Sequence, residues 1–562
     1  MDIIARMKII RSTWPVFLCC VAFLTVPHGE LFAQSSSPES VLSQVSYYGS
    51  VPSDVLEEGN ALEESRQWAE ALTFYQQALR EYPDDANLKQ RQAMARIHYD
   101  LHRRYADTSF LKTVQETSGT KSLNVYAEVL LKIQSYYVDQ PNWSQIAGYG
   151  LTSLEVAMYC PEFRETNLPG VSDTTITNSI RETRETLKKY PAGNRNDTYV
   201  IASTAASLLE SKLGLPVQAT MYEFTCGAIS ALDTYSAFMS GNQYDETMSQ
   251  IEGNFVGLGV ELQTLSDSLK IVGVIPNGSA GIGGIRKGDE IIQVDQLRVA
   301  EIGSERAADL LRGVEGSFVD LIIKRDGTPM KTSLERKRVE IPSVSDVSIV
   351  DKAAGVGYIN LTNFQKTTAR DFDEALWDLH RQGMRSLIVD VRGNPGGLLS
   401  ASVEVADRFI SSGIIVSTHG RNPMEDYVHH AQMANTWRVP LVVLIDQDSA
   451  SASEIFAAAI RDHKRGTIVG RRSYGKGSVQ GIFPLNVSGG GVRLTTAKFY
   501  SPSGQPISSV GVNADITVRQ AAKPATDKPF VTDDELRVGI QAAIQAAEKR
   551  QQAQQQASAS QS

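Results

Sequence analysis

Little in the composition announces a chemistry. The 562 residues include only four cysteines and eight histidines. Two of the cysteines, Cys19 and Cys20, sit inside the first apolar run, so a disulfide-dense scaffold is excluded. No stretch collects histidines or cysteines at metal-ligand spacing, so neither a metal nor an organic cofactor is expected. Positive charge is not in excess. Lys and Arg number 55 against 64 Asp and Glu, for a net charge of −9, and the electrostatic case for nucleic acid as main partner disappears. After residue 26 no apolar run is long enough to span a bilayer.

What is present is ordinary globular composition, 42% hydrophobic, over a length that predicts three or four domains. The N-terminus stands apart. Arg6, Lys8 and Arg11 precede VFLCCVAFLTV (16–26), and LFAQ follows, with Ala33 as the last residue before cleavage. This reads as a secretory signal peptide over 1–33. The mature chain is therefore expected to be exported to the periplasm or cell envelope, touching a membrane peripherally if at all. In such a compartment Cys160 and Cys226 either pair or remain two separate buried thiols.

Residues 34–53 are Ser- and Gln-rich and read as a linker. In 54–115, Gly59, Trp68, Ala71, Tyr75, Ala78 and Pro83 resemble one tetratricopeptide repeat, a helical unit that normally needs neighbours and could hold a protein partner. A plain helical hairpin fits the spacing equally. Residues 122–245 read as mostly helical, with TNLPGVSDTTITNS (166–179) expected to be a loop or insertion. Across 246–340 the character changes to short β-branched strands separated by turn signals. Across 345–520, strands such as SLIVDVR and PLVVLID alternate with helices such as SASEIFAAAIRDHKRG, the pattern of a buried α/β layer. Residues 521–562 read as a helix that frays into a disordered Gln- and Ala-rich tail.

GTIVGRRSYGKGSVQG (466–481) contains the opening of a phosphate loop, Gly470 to Lys476. That assignment fails locally. A phosphate loop needs Ser or Thr after the lysine to hold magnesium, and here Gly477 follows. It also needs a helix to start there, and GSVQGIFPL reads as loop then strand. A lysine whose pKa is lowered by burial can instead be a general base. A nucleophile for it lies upstream in IDQDSASASEIF, where a strand ends and a helix begins near Ser451. Unpaired amides and the positive end of the helix dipole suit an attacking hydroxyl there. They suit a plain N-cap as well. His463 is 12 residues further along the same helix, ~18 Å away, and no G-x-S-x-G elbow surrounds these serines, so a serine–lysine pair is the simpler arrangement. In DVRGNPGGLLSA (390–401) a glycine turn joins a strand to a helix and could present amides to an oxyanion.

Together VDVRGNPGG, SASASEIFAAAIRDHKRGTIVG, YGKGSVQ and KFYSPSGQPI resemble the C-terminal processing peptidases, or tail-specific proteases, in order and spacing. The resemblance implies a multidomain α/β serine endopeptidase: a crotonase-like core over 345–520, an inserted PDZ domain over 246–340, and an N-terminal helical, tetratricopeptide-like region. It puts Ser451 at the nucleophile, Lys476 at the general base and Gln480 at the residue that positions the lysine. The amide of Ala452 with that of Gly396 or Gly397 would form the oxyanion hole. Gly257, Leu258 and Gly259 in FVGLGVEL fall at the PDZ carboxylate-binding loop. YVDQPNWSQIAGYGLTSL and GAISALDTYSAFMS resemble the segment that precedes the PDZ domain. The chain departs from the family in IDQDSASAS, which lacks the usual Asn and Gly before the serine. The implied substrates are polypeptides with apolar C-terminal tails. Two rival readings are a non-catalytic adaptor using the PDZ and helical regions, and a nucleotide-dependent enzyme using 470–476.

Overall fold

The computed structural model describes residues 53–265, 267–275, 277–518 and 533–559. The expected signal peptide with Cys19, Cys20 and Ala33, the linker up to residue 52, and residues 519–532 and 560–562 lie outside the described residues. The chain divides into two compact units, residues 246–345 with 363–377, and the remainder.

In the larger unit, apolar runs dictate the sheet. Ser386–Asp390 and Leu441–Ile445 are buried at every position, as parallel strands covered on both faces are. In a six-stranded sheet, Val356–Leu361, Ser386–Asp390, Leu441–Ile445, Thr467–Gly470 and Ile516–Thr517 lie side by side in that order, each pair parallel. Alternate residues Val356, Ile388, Val442, Leu444 and Val469 face a helix at the C-terminal end, Asp534–Ala559, which contributes Leu536, Ile540, Ala543 and Ile544. The first half of that helix is therefore core rather than fraying tail. On the other side, helices Leu399–Asp407 and Ala452–Asp462 pack on each other. A second, antiparallel sheet orders Ala237–Met239, Gly491–Tyr500, Ile414–Gly420 and Tyr427–His430, with Ser478–Pro484 also paired to Gly491–Tyr500.

The N-terminal half of this unit is helical. Helix Trp68–Glu81 buries Ala71, Phe74, Tyr75 and Ala78 at three- and four-residue spacing against Leu88 and Ala95 of helix Ala86–Ala106. Gly59 admits the Tyr75 ring, since a Cβ there would lie 2.5 Å from its hydroxyl. Further on, one core runs from Leu101 and Tyr105 through Tyr126 and Phe224 to Val492 and Leu494 of the antiparallel sheet. Inside it the fully buried Glu223 accepts from Arg104 at 2.6 Å, Ser153 Oγ at 2.9 Å and Tyr105 OH at 3.1 Å. Of the stretch expected as a loop at 166–179, only 168–172 is one, because Thr166 and Asn167 end helix Pro161–Asn167. Ser172 caps helix Asp173–Leu187, whose Ile176, Thr183 and Leu187 are buried along one face. Its many threonines hid the period. Cys160 and Cys226 are separate, buried, free thiols.

The smaller unit is a β-rich module. Strands Val260–Thr264, Leu269–Val274, Glu290–Val294, Phe318–Arg325 and Thr328–Glu335 form an antiparallel sheet. Leu262, Ile271, Ile291, Val319, Leu321 and Ile323 fill its core. Gly257, Leu258 and Gly259 lie at the junction between strand Asn254–Gly257 and strand Val260–Thr264. Leu258 is buried and its carbonyl accepts from Ala280 N at 2.8 Å. Gly259 has φ +77 and its Cα sits against Gly278, an approach that only a residue without Cβ permits.

Candidate active site

Every expected catalytic and oxyanion-hole residue belongs to the larger unit. Ser451 ends the turn after strand Leu441–Ile445 and precedes helix Ala452–Asp462. Its φ is positive, 55 with ψ −114, a conformation that costs a non-glycine residue ~1–3 kcal/mol and is kept only where surroundings over-determine it.

The surroundings do so with hydrogen bonds. Asp446 Oδ1 accepts from Gly393 N at 3.0 Å, Asp448 N at 3.1 Å and Ser449 N at 3.0 Å. Ser449 Oγ donates to Val391 O at 2.8 Å. The buried Asn394 accepts from Ala450 N and Ser453 Oγ through its carbonyl, while its side chain donates to Leu361 O at 2.8 Å. The glycine turn and the Ser451 turn are thus sewn together. Gly396, at φ +107, presses directly on the serine: a Cβ would lie 2.8 Å from Ala450 O and 2.9 Å from Ala452 N. The Gly396 amide is engaged by Asn394 Oδ1 at 2.9 Å. Gly397 follows with φ +136. Arg392, at the base of this turn, pairs with Asp390, Asp533 and Glu535, anchoring the start of the C-terminal helix.

Lys476 lies on the loop between strands Thr467–Gly470 and Ser478–Pro484; no helix opens there. What joins Lys476 to Ser451 is Glu454, fully buried one turn into the Ser451 helix. Its Oε2 accepts from Ser451 N and from Lys476 N, each at 2.8 Å. Its Oε1 accepts from Ser473 Oγ at 2.6 Å and Gly475 N at 2.7 Å. One carboxylate oxygen therefore holds the backbones of both residues. Ionised acceptors of this kind form the stronger hydrogen bonds, and burial pulls the other way, pushing the Glu454 pKa up. No hydrogen bond joins Ser451 Oγ to Lys476 Nζ in this structure. Such contacts commonly tighten only when substrate is present.

The Lys476 ammonium sits over the Tyr235 ring, 5.0 Å from its centroid. Burial first, and the Arg493 guanidinium second, push its pKa down from 10.5 to about 8, against the opposing pull of Glu454 and Asp233. Arg493 is itself held by Tyr235 O at 2.9 Å. Asp233 fixes the approach to Tyr235 by accepting from the amides of Tyr235 and Ser236 at 2.7 and 2.8 Å.

The Gln480 side chain is not hydrogen-bonded to Lys476. Its side-chain amide donates to Ser478 Oγ at 2.9 Å and Ser478 O at 3.2 Å, beside a register shift in the strand pair at Val479/Gln480. His463 caps the far end of the Ser451 helix, bonded to Ile414 O at 2.7 Å, outside this cluster. Glu454, Tyr235 and Asn394 escaped the sequence reading. Glu454 left one trace there, as the acid three residues after a helix-starting serine.

A family model described as peptidase family S41 matches residues 355–518, and a PDZ domain model matches 248–324. The chain is 35% identical over 301 residues to a carboxy-terminal-processing protease of Bartonella bacilliformis, covering 52% of this chain and 68% of the relative. It is 30% identical over 341 residues to a carboxyl-terminal-processing protease of Synechocystis sp., covering 60% and 74%. A solved structure, the photosystem II D1 C-terminal processing protease, aligns with 71% of this chain and 93% of its own at 25% identity and a TM-score of 0.37.

Proposed function

The chain belongs to the carboxy-terminal processing proteases of peptidase family S41, and from that premise we propose that Ser451 and Lys476 are the nucleophile and general base of this serine-type endopeptidase. The observation that carries the assignment is the single oxygen of Glu454 that accepts from the backbone of both residues. A partly desolvated lysine with a pKa of about 8 is a base poised near working pH.

Neutral Lys476 Nζ takes the Ser451 Oγ proton as Oγ adds to the scissile carbonyl carbon. The oxyanion is met by the Ala452 amide, first in its helix and so without an intrahelical acceptor, and by a glycine of the 396–397 pair. Gly397 is the better candidate, because the Gly396 amide is engaged by Asn394. Collapse expels the amine, which leaves with the proton from Lys476. Water, deprotonated by Lys476, then hydrolyses the acyl-enzyme. Gln480 steadies Ser478, two residues from the lysine, and its role is positioning.

We read the α/β layer as the crotonase-like core and the 246–340 module as the PDZ domain that captures apolar C-terminal tails of exported polypeptides on Gly257, Leu258 and Gly259. The 54–115 helices, tetratricopeptide-like in spacing, are read as a site for a protein partner. Export by the 1–33 segment to the cell envelope completes the reading. Among the described residues no helix is long and apolar enough to cross a membrane.

The test is cleavage of an unfolded protein with an apolar tail by the chain from residue 34 onward, with Ser451→Ala and Lys476→Ala beside it. Cleavage by the unsubstituted chain alone is expected. Equal cleavage by all three overturns the assignment.

A further inference from the structure

Far from Ser451 in the sequence, three side chains with metal-ligating atoms converge at the contact between two helices of the larger unit. His102 is on Ala86–Ala106. Cys160 caps and Glu162 opens the helix Pro161–Asn167. One imidazole nitrogen, the thiol sulfur and a carboxylate oxygen all lie within 4.8 Å of one another. His102 Nδ1 is 3.4 Å from Glu162 Oε1, and Cys160 Sγ is 2.8 Å from Glu162 Oε2. From these contacts we propose that His102, Cys160 and Glu162 form a binding site for a divalent cation of the zinc class.

The donor set selects the ion. Thiolate and imidazole favour zinc and its neighbours over magnesium or calcium, which want oxygen alone. Bond lengths of ~2.0–2.3 Å in a tetrahedron separate ligand atoms by roughly 3.3–3.7 Å. The His102–Glu162 pair already has that spacing. The Cys160–Glu162 contact is the shorter one of a thiol hydrogen bond, which a bound ion would replace.

The scaffold is fixed and the mouth is open. Cys160 is buried, whereas the side chains of His102 and Glu162 are 32% and 48% exposed, so an ion can enter and a water can take the fourth position. Phe163, fully buried beside Glu162, packs edge-on against Tyr105, one turn from His102, with centroids 5.6 Å apart. Adjacent cations are occupied elsewhere: Arg103 over Tyr99, Arg104 on Glu223, and Arg164 on Asp173. Cys160 ligates as a thiolate, so binding must release its proton to solvent as the sulfur–metal bond forms. The bound ion would staple the N-terminal helices to helix Pro161–Asn167.

The experiment uses the tag-free chain from residue 34, stripped with chelator and titrated with Co²⁺, then with Zn²⁺ in competition. One equivalent is expected to bind with a thiolate-to-cobalt charge-transfer band and four-coordinate d–d bands, and Zn²⁺ is expected to displace it and raise Tm. Cys160→Ser should abolish the charge-transfer band. His102→Ala and Glu162→Gln, the latter at a side chain 48% exposed, should each weaken Zn²⁺ binding by about tenfold or more. Absence of the charge-transfer band, or equal Zn²⁺ affinity in the unsubstituted chain and Glu162→Gln, overturns the proposal and leaves Cys160–Glu162 as a helix-start hydrogen bond.

Discussion

Replacing Lys476 with Met removes the proposed base and, on the same physics, stabilises the fold at neutral pH. Desolvation lowers the lysine pKa from 10.5 to about 8. At 1.36 kcal/mol per pKa unit, holding the ammonium in place below pH 8 costs about 3 kcal/mol, or about 2 allowing for its residual exposure. The sign follows from proton counting. Between pH 8 and 10.5 the unfolded chain keeps a proton that the folded chain has lost, so stability of the unsubstituted protein rises with pH through that window. Below pH 8 the penalty is full; above 10.5 it is gone. Methionine carries no such penalty and its thioether packs well on the Tyr235 ring. Urea denaturation at pH 7, 9 and 10.5 is the assay, with the shift in midpoint at constant slope giving the difference. Lys476→Met is expected to be inactive, more stable by about 2–3 kcal/mol at pH 7, and level with the parent near pH 10.5. A variant less stable at pH 7, or a gap that does not narrow with pH, refutes the reasoning. In the parent, kcat/KM should rise with pH along an acid limb inflecting near the same value of about 8.

Three further perturbations separate the parts of the site. Glu454→Gln keeps the shape but turns one acceptor oxygen into a donor, orphaning at least one buried amide of the four donors Glu454 serves; at ~1–3 kcal/mol for such a group, kcat should fall about tenfold to a hundredfold. Because the carboxylate favours the Lys476 ammonium, the acid limb should also move to lower pH, and an upward move would contradict the linkage. Gly396→Ala meets both a positive φ and backbone atoms at 2.8–2.9 Å, so kcat should drop with KM little changed; a variant of parental kcat would show that the glycine turn is not pressed on Ser451. Tyr235→Leu removes the ring beneath the ammonium, a contact of ~0.5–2 kcal/mol, and should lower the acid-limb pKa while Tyr235→Phe leaves it in place; identical pH profiles for the two variants would remove Tyr235 from the site.

Local features were legible in the sequence. The strand-then-helix start at Ser451, the loop-then-strand at Lys476 and the glycine turn at 393–397 rest on short-range backbone preferences, and each is where those preferences put it. Helix Asp173–Leu187 was not legible, because its buried face alternates Ile176 and Leu187 with the polar Ser179 and Thr183, and the Pro169–Gly170 turn precedes it. The serine–lysine pairing followed from those local features, and the family motifs gave each residue its role. What the sequence by itself determined is thus the order of elements, the family, and the segments on which chemistry sits. Only the tertiary structure decided how those segments act on one another. The Lys476 pKa depends on burial and on Arg493, Glu454 and Asp233, and Glu454 works by accepting from a loop about twenty residues away. His102 meets Cys160 and Glu162 only because two helices pack at Tyr105 and Phe163. Desolvation and hydrogen bonding depend on distance in space and on the dielectric that packing creates, and neither leaves a local periodicity to read.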